Sequence, residues 1–142
     1  MAERSAKASW KGTLLEGEGT MTLGSGAFEG KFSFGSRMGE EPGTNPEELI
    51  GAALAGCYTM ALNATLEKEG FTVNGIDTGA KVHFGKDDDG FTIRKIDLHS
   101  EANINGIDDA KFQEIAAKVK KVCPVSKALT GTEIVLEAKL VS

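Results

Sequence analysis

NPEELIGAALAGCYTMALNATLEKEG, residues 45–70, is the stretch on which the reading of this chain turns. Asn45 is a good N-cap, Pro46 suits the first helical position, and Glu47 and Glu48 put negative charge in the first turn, where the helix dipole favours it. Glu48 stands three residues after Asn45, the spacing of a capping box with Asn in place of Ser or Thr. No further Pro interrupts the run before Gly70, a natural residue to end a helix. Between Leu49 and Leu62 nearly every side chain is apolar or small, and a helix apolar all round must be covered on all sides. The apolar run is too short, and too closely flanked by Glu, to be read as a bilayer span, so it is expected to be a buried core helix. Cys57 lies in its middle. Ile50, Ala53, Met60, Ala61 and Ala64 stand three, four or seven residues from it, on roughly the same face.

The rest of the composition is that of a soluble globular protein. A chain of 142 residues is most simply one domain, 1–142, with room for a core. Net charge is −5 with the signs interspersed and no basic run, which argues against nucleic acid or an anionic membrane as partner. The opening MAERSAKASWKG has no apolar segment of the secretory type. Two cysteines are too few for a disulfide framework. A cytoplasmic protein is expected, and in a reducing compartment thiols are structural, metal-binding or redox-active rather than bridged.

Working outward, residues 7–14 alternate Ala8, Trp10, Gly12 and Leu14 against polar neighbours, a strand pattern. A turn at residues 16–19 leads to a short strand at 20–23, and a further turn to a strand at 28–34 carrying Phe28, Phe32 and Phe34. Residues 35–44, GSRMGEEPGT, read as a polar loop that carries Arg37. Beyond the long helix, residues 71–84 are extended, with a turn or bulge signal at Asn74-Gly75. Asp87-Asp88-Asp89-Gly90 is a hairpin turn into a partner strand at 91–104. The alternation of that strand slips at Arg94-Lys95, which predicts a bulge. Asp108 caps a second helix whose apolar stripe is Phe112, Ile115, Ala116, Val119 and Val122. Pro124 ends it and opens a short helix over 124–129, and residues 132–141 close as a strand. The order is β-β-β-α-β-β-α-(short α)-β. It implies an α+β fold with an antiparallel sheet around a long buried central helix. One sheet and one amphipathic helix of this size would leave part of that helix bare, so a homodimer burying two such helices together is expected. The alternative is that the sheet and the second helix suffice.

Several side chains could do chemistry. For Cys57 the plainer reading is an inert core thiol. Cys123 precedes Pro124 and falls at the start of the short helix, where backbone N–H groups stabilise a thiolate. Lys120 and Lys121 add positive charge nearby. The plainer reading of Cys123 is a helix-end packing residue; on local electrostatics alone it is the more activated thiol. His83 and His99 lie in the two paired strands, and no Cys/His spacing matches a zinc site. Neither a calcium loop around Asp87-Asp88-Asp89 nor a Cys–His hydrolase is supported. Arg37 stands just before the helix that carries Cys57, and a desolvated thiol needs a cation to ionise. Glu47 or Glu48 could hold that Arg. Glu47 is the better placed, at roughly 80° from Cys57 on the helical wheel against about 180° for Glu48. A solvated Arg beside two helix-start carboxylates is the plainer alternative.

PGTNPEELIGAALAGCYTMAL, followed by KKVCPVSKAL, resembles the OsmC/Ohr family, and its OsmC branch in particular. The resemblance runs from Trp10-Lys11-Gly12 through GIDTGAKV and NINGIDDAKF to the final strand. It implies an intertwined homodimer of α+β subunits that reduces organic hydroperoxides through thiols, with two active sites at the interface. By the same resemblance Cys57 is the peroxidatic cysteine and Cys123 the resolving one. Arg37 is the Arg that pairs with the thiolate, and Glu47 the carboxylate that positions it. The resemblance thus reverses the electrostatic ranking of the two thiols. It implies attack by Cys57, a Cys57–Cys123 disulfide and no cofactor. The implied reductant is an external dithiol, in this family a lipoyl-bearing protein. Two other readings use the same residues. One is a small-molecule or lipid-binding dimer with incidental thiols; the other is a redox sensor that signals through the disulfide.

Overall fold

The computed structural model describes residues 2–141. The chain divides into two compact units, one ending at Leu49 and the other beginning at Ile50. In the first unit β1 (Ala6–Lys11), β2 (Glu18–Leu23) and β3 (Glu29–Phe32) form an antiparallel sheet in that order. The first strand was expected to reach Leu14 but stops at Lys11, because Gly12 takes φ +101° and turns the chain. Leu14 and Leu15 lie exposed beyond it. Trp10 and Phe32 flank Gly19 in the register, and their ring centroids are 5.5 Å apart. A Cβ at Gly19 would come within 2.6 Å of the Phe32 ring, so a glycine is required there.

Part of what read as a polar loop is a helix, α1 (Phe34–Met38). Ser33 caps it and accepts from the Ser36 amide, while Ser36 Oγ accepts from the Ser33 amide. This is a reciprocal capping box with Ser where Glu or Gln is usual, which is why the sequence pattern hides it.

The unit boundary falls in the first turn of α2 (Pro46–Lys68). Asn45 Oδ1 accepts from the Glu48 amide at 2.8 Å, as a cap should. The C-terminus is a Schellman motif. Gly70 sits at φ +90°, its amide donates to the Glu67 carbonyl and the Phe71 amide donates to Leu66.

In the second unit β4 (Thr72–Asp87), β5 (Gly90–Asn105) and β6 (Glu133–Val141) make a sheet in that order. β4 and β5 are antiparallel, with irregularities between Val73 and Gly75 and between His83 and Phe84. The second leaves Arg94 as the extra residue, where the alternation slips. β6 pairs with β5 in parallel, so the sheet is mixed rather than antiparallel throughout. The connection explains it: α3 (Asp109–Val122) and α4 (Pro124–Ala128) carry the chain back before β6 begins, as a helical crossover does.

Leu54, Tyr58, Leu62 and Leu66 of α2, spaced four apart, are fully buried with Ile96, Leu98 and Ala102 of β5 and Phe112, Ile115 and Val119 of α3. Tyr58 donates to the Ala116 carbonyl at 3.2 Å and ties α2 to α3. Val122, expected in the α3 stripe, is 46% exposed; Cys123 closes the core in its place, at 0%. Burial of α2 is also one-sided. Ala52, Ala53, Gly56 and Ala64 are exposed, and Met60 is 78% exposed. By length and apolarity α2 does qualify as a bilayer span, contrary to the reading of its run as too short. The buried Leu54-Tyr58-Leu62-Leu66 face marks it as a core helix instead.

A line of hydroxyls crosses from α2 into the sheet. Thr59 Oγ1 is 2.8 Å from the Ala55 carbonyl and 2.7 Å from Thr78 Oγ1, which is 2.9 Å from Ser100 Oγ. Ser100 is fully buried. Thr78→Val keeps the shape but strands the Ser100 hydroxyl, an expected loss of about 1–3 kcal/mol. It is read as a lower urea midpoint at unchanged m-value; an unchanged midpoint would remove the chain of hydroxyls from the account of stability.

Candidate active site

The first unit holds the guanidinium. Arg37, on α1, donates from Nε and Nη2 to Glu47 Oε1 at 2.9 and 2.6 Å. Glu47 is buried, while Arg37 is 40% exposed, so solvent screens part of the pair's attraction. Glu47 rather than Glu48 holds the Arg, as its helical position suggested. Glu48 instead accepts from Thr44 Oγ1 at 2.6 Å, so the reciprocal half of the expected capping box does not form. Both Arg37 donors fall on one carboxylate oxygen; Glu47 Oε2 is buried with no hydrogen-bond partner among the described residues.

The loop behind this pair is braced. Ser36 Oγ donates to the Thr44 carbonyl at 2.8 Å, and Asn45 Nδ2 donates to the Ser36 carbonyl at 3.2 Å. Asn45 therefore caps α2 with its oxygen and ties down the Arg37 helix with its nitrogen. Sequence reading found only the first of these roles, because the second joins residues whose approach depends on the fold.

The second unit holds the thiols. Cys57 lies mid-way along α2, and Cys123 links α3 to α4 as the N-cap of α4. Their sulfurs are 2.7 Å apart and both cysteines are free. A disulfide needs about 2.05 Å, so bonding calls for only a small closure. Cys57 is partly exposed and Cys123 fully buried, so a solute reaching the pair meets Cys57 first.

Their electrostatics differ. Burial raises the Cys57 thiol, and the neighbouring Cys123 sulfur raises it further against the Val125 amide. At Cys123 burial also opposes ionisation, but Cys57, the amide and hydroxyl of Ser126 and the Val125 amide favour the charged sulfur and together bring the thiol below its ordinary range. The local reading of Cys123 as the better thiolate therefore stands within this unit. Two thiols this close titrate as a pair, in steps that belong to neither sulfur alone. Tyr58, buried near charge on Cys123, has its phenol pushed up and stays protonated. Sequence reading passed over Ser126. The signal was its place in Cys-Pro-Val-Ser, three residues into the turn that Cys123 begins.

The histidines are satisfied at the sheet surface. His83 Nε2 is 2.7 Å from Asp97 Oδ2, and His99 lies 3.6 Å from Glu101 and 3.7 Å from Glu137. Among the described residues no group of three or more His, Cys, Asp or Glu is arranged to hold a metal ion.

Known proteins resemble this chain over most of its length. The family model for OsmC-like protein matches residues 39–139. Peroxiredoxin OsmC of Escherichia coli (strain K12) is 45% identical over 140 residues, covering 98% of this chain and 97% of that protein. An organic hydroperoxide resistance protein of Xanthomonas axonopodis pv. citri (strain 306) is 30% identical over 117 residues, 80% of each chain. Among solved structures, the organic hydroperoxide resistance protein OhrB of Bacillus subtilis superposes with a TM-score of 0.68 at 25% identity, covering 96% of this chain and 98% of that one. With a family match crossing both units, a relative nearly half identical end to end and the same α+β fold, the chain belongs to the OsmC/Ohr family.

Proposed function

We propose that the protein is a thiol-dependent peroxidase that reduces organic hydroperoxides to alcohols. The observation that carries this reading is the sulfur of the partly exposed Cys57 lying 2.7 Å from that of the buried Cys123. The names of the relatives support it. The Cys57 thiolate attacks the distal peroxide oxygen; the O–O bond breaks, the alkoxide takes a proton and leaves as alcohol, and Cys57 becomes a sulfenic acid. Cys123 sulfur then attacks the Cys57 sulfur. The S–S bond forms, the S–O bond breaks and the hydroxide leaves as water with the Cys123 proton. An external dithiol, for which a lipoyl-bearing protein is the proposed source, reduces the disulfide by exchange. The resemblance to the family supports assigning Arg37, held by Glu47, as the cation for the Cys57 thiolate, and no cofactor takes part.

Both units serve as one domain, and two chains pair through the exposed Ala52-Ala53-Gly56-Met60-Ala64 face of α2, which a second copy would cover. The setting is the cytoplasm, where dithiol reductants are maintained. Light scattering at micromolar concentration should give about twice the 15.0 kDa chain mass; a monomer would exclude this pairing.

The test of function is a dithiothreitol-coupled assay. Cys57 packs against the apolar core, so a cumyl group beside it would bury surface that hydrogen peroxide lacks. At about 25 cal/mol per Å², burying roughly 60–100 Å² favours cumene hydroperoxide in kcat/KM by about tenfold or more. Equal values for the two peroxides would mean that the site contributes no apolar binding, and absence of turnover with either would overturn the reading.

A further inference from the structure

We infer that Ser126 activates Cys123 for disulfide formation, its hydroxyl donating a hydrogen bond to the Cys123 sulfur as that sulfur attacks the Cys57 sulfenic acid. This rests on the peroxidase reading above and adds a residue to it.

The Ser126 Oγ atom is buried and, by strict geometry, has no hydrogen-bond partner among the described residues. A buried hydroxyl left unpaired is costly, and such exceptions in a native fold call for an explanation. Its position supplies one. Cys123 is the N-cap of α4, Pro124 its first residue and Ser126 the third. A side chain at that third position reaches back towards the cap, as in a capping box. Here the cap is a thiol, and it makes no cap bond of its own. Both the amide and the hydroxyl of Ser126 favour the charged form of the Cys123 sulfur. A resting thiol is a weak acceptor, whereas a thiolate is a strong one. Catalytic hydrogen bonds that are loose at rest often tighten as the reacting charge develops. Ser126 is thus an unspent donor beside the sulfur that must carry charge in the second step.

The step it assists is balanced without it. Cys123 gives up its proton, the Cys123–Cys57 S–S bond forms, and the sulfenic hydroxide leaves as water carrying that proton. Ser126 keeps its own proton throughout and lowers only the cost of charge on Cys123. Its loss does not weaken Cys57: the two thiols titrate as a pair, so a poorer Cys123 thiolate leaves charge on Cys57 no less favoured.

The full-length protein, pre-reduced and treated with one equivalent of cumene hydroperoxide, tests this by quench and intact mass. In Ser126→Ala, Cys57 should reach sulfenic acid no more slowly than in the wild type, trapped by dimedone. Conversion to the disulfide should slow about tenfold, and the midpoint of its pH profile should move up. Ser126→Thr keeps the hydroxyl and should restore most of the rate, which a packing defect would not explain. Wild-type disulfide kinetics and pH profile in Ser126→Ala would overturn the inference, as would slowing of the sulfenic acid step instead. If the wild-type protein itself forms no sulfenic acid, the peroxidase reading fails and takes this one with it.

Discussion

Cys57→Ser is expected to consume no hydroperoxide, not even in a single turnover, while Cys123→Ser reacts once and stops at a sulfenic acid that dimedone traps. The asymmetry follows from access. Cys57 is partly exposed and Cys123 is fully buried, although the groups around Cys123 favour charge on it. Favourable ionisation is of no use to a nucleophile that the peroxide cannot touch. With Cys123 removed, excess peroxide should carry Cys57 up to the irreversible sulfinic acid. The wild type should stop at the disulfide instead. Intact mass after one equivalent, and again after excess, separates these outcomes. Dimedone on Cys123 in Cys57→Ser would reverse the assignment and restore the electrostatic ranking.

Arg37→Lys should lower kcat/KM by about 10²-fold, the usual scale for losing a well-placed stabilising donor at a reacting charge. Arg37 spends two of its nitrogens on Glu47 Oε1. A lysine has a single nitrogen and cannot hold that oxygen in a fork while serving a thiolate. Glu47→Gln should be milder in the same direction, because an amide oxygen still accepts from the guanidinium but loses the charge assistance. The pH profile of Cys57 alkylation by iodoacetamide distinguishes activation from substrate binding. The midpoint should move up in Arg37→Lys, since the charged form of the thiol is less favoured. Identical profiles in the two proteins would show that Arg37 is not the activating group.

Much of this was legible from local chemistry. The caps of α2, the Gly70 stop, the slip at Arg94 and the Asp108 cap each depend on a few neighbouring residues, and each formed. The direction of β6 did not show, because an alternating strand reads alike in either sense and only the crossover decides it. α1 stayed hidden because Ser33 and Ser36 make a capping box from two weak signals. Val122 followed the 3.6-residue period into the last turn of α3, but the chain leaves the core surface there and Cys123 fills the position. At the site, residue types and the Glu47 preference were readable from spacing. The approach of Cys57 to Cys123 was not, since 66 residues separate them and only packing brings them together.

In the proposed cycle that separation gives each turnover a second effect. Joining the two sulfurs ties residues 66 apart in sequence into a ring, with Cys57 in α2 at one end and Cys123 at the crossover to β6 at the other. The unfolded chain loses the freedom of that loop, which on a chain-entropy estimate steadies the oxidised fold by about 4 kcal/mol relative to the reduced one. The enzyme would then be most resistant to unfolding when peroxide has outrun its reductant, and would loosen as the dithiol supply recovers. Its heat resistance, measured with and without dithiothreitol, would register the balance between oxidant and reductant in the surrounding solution.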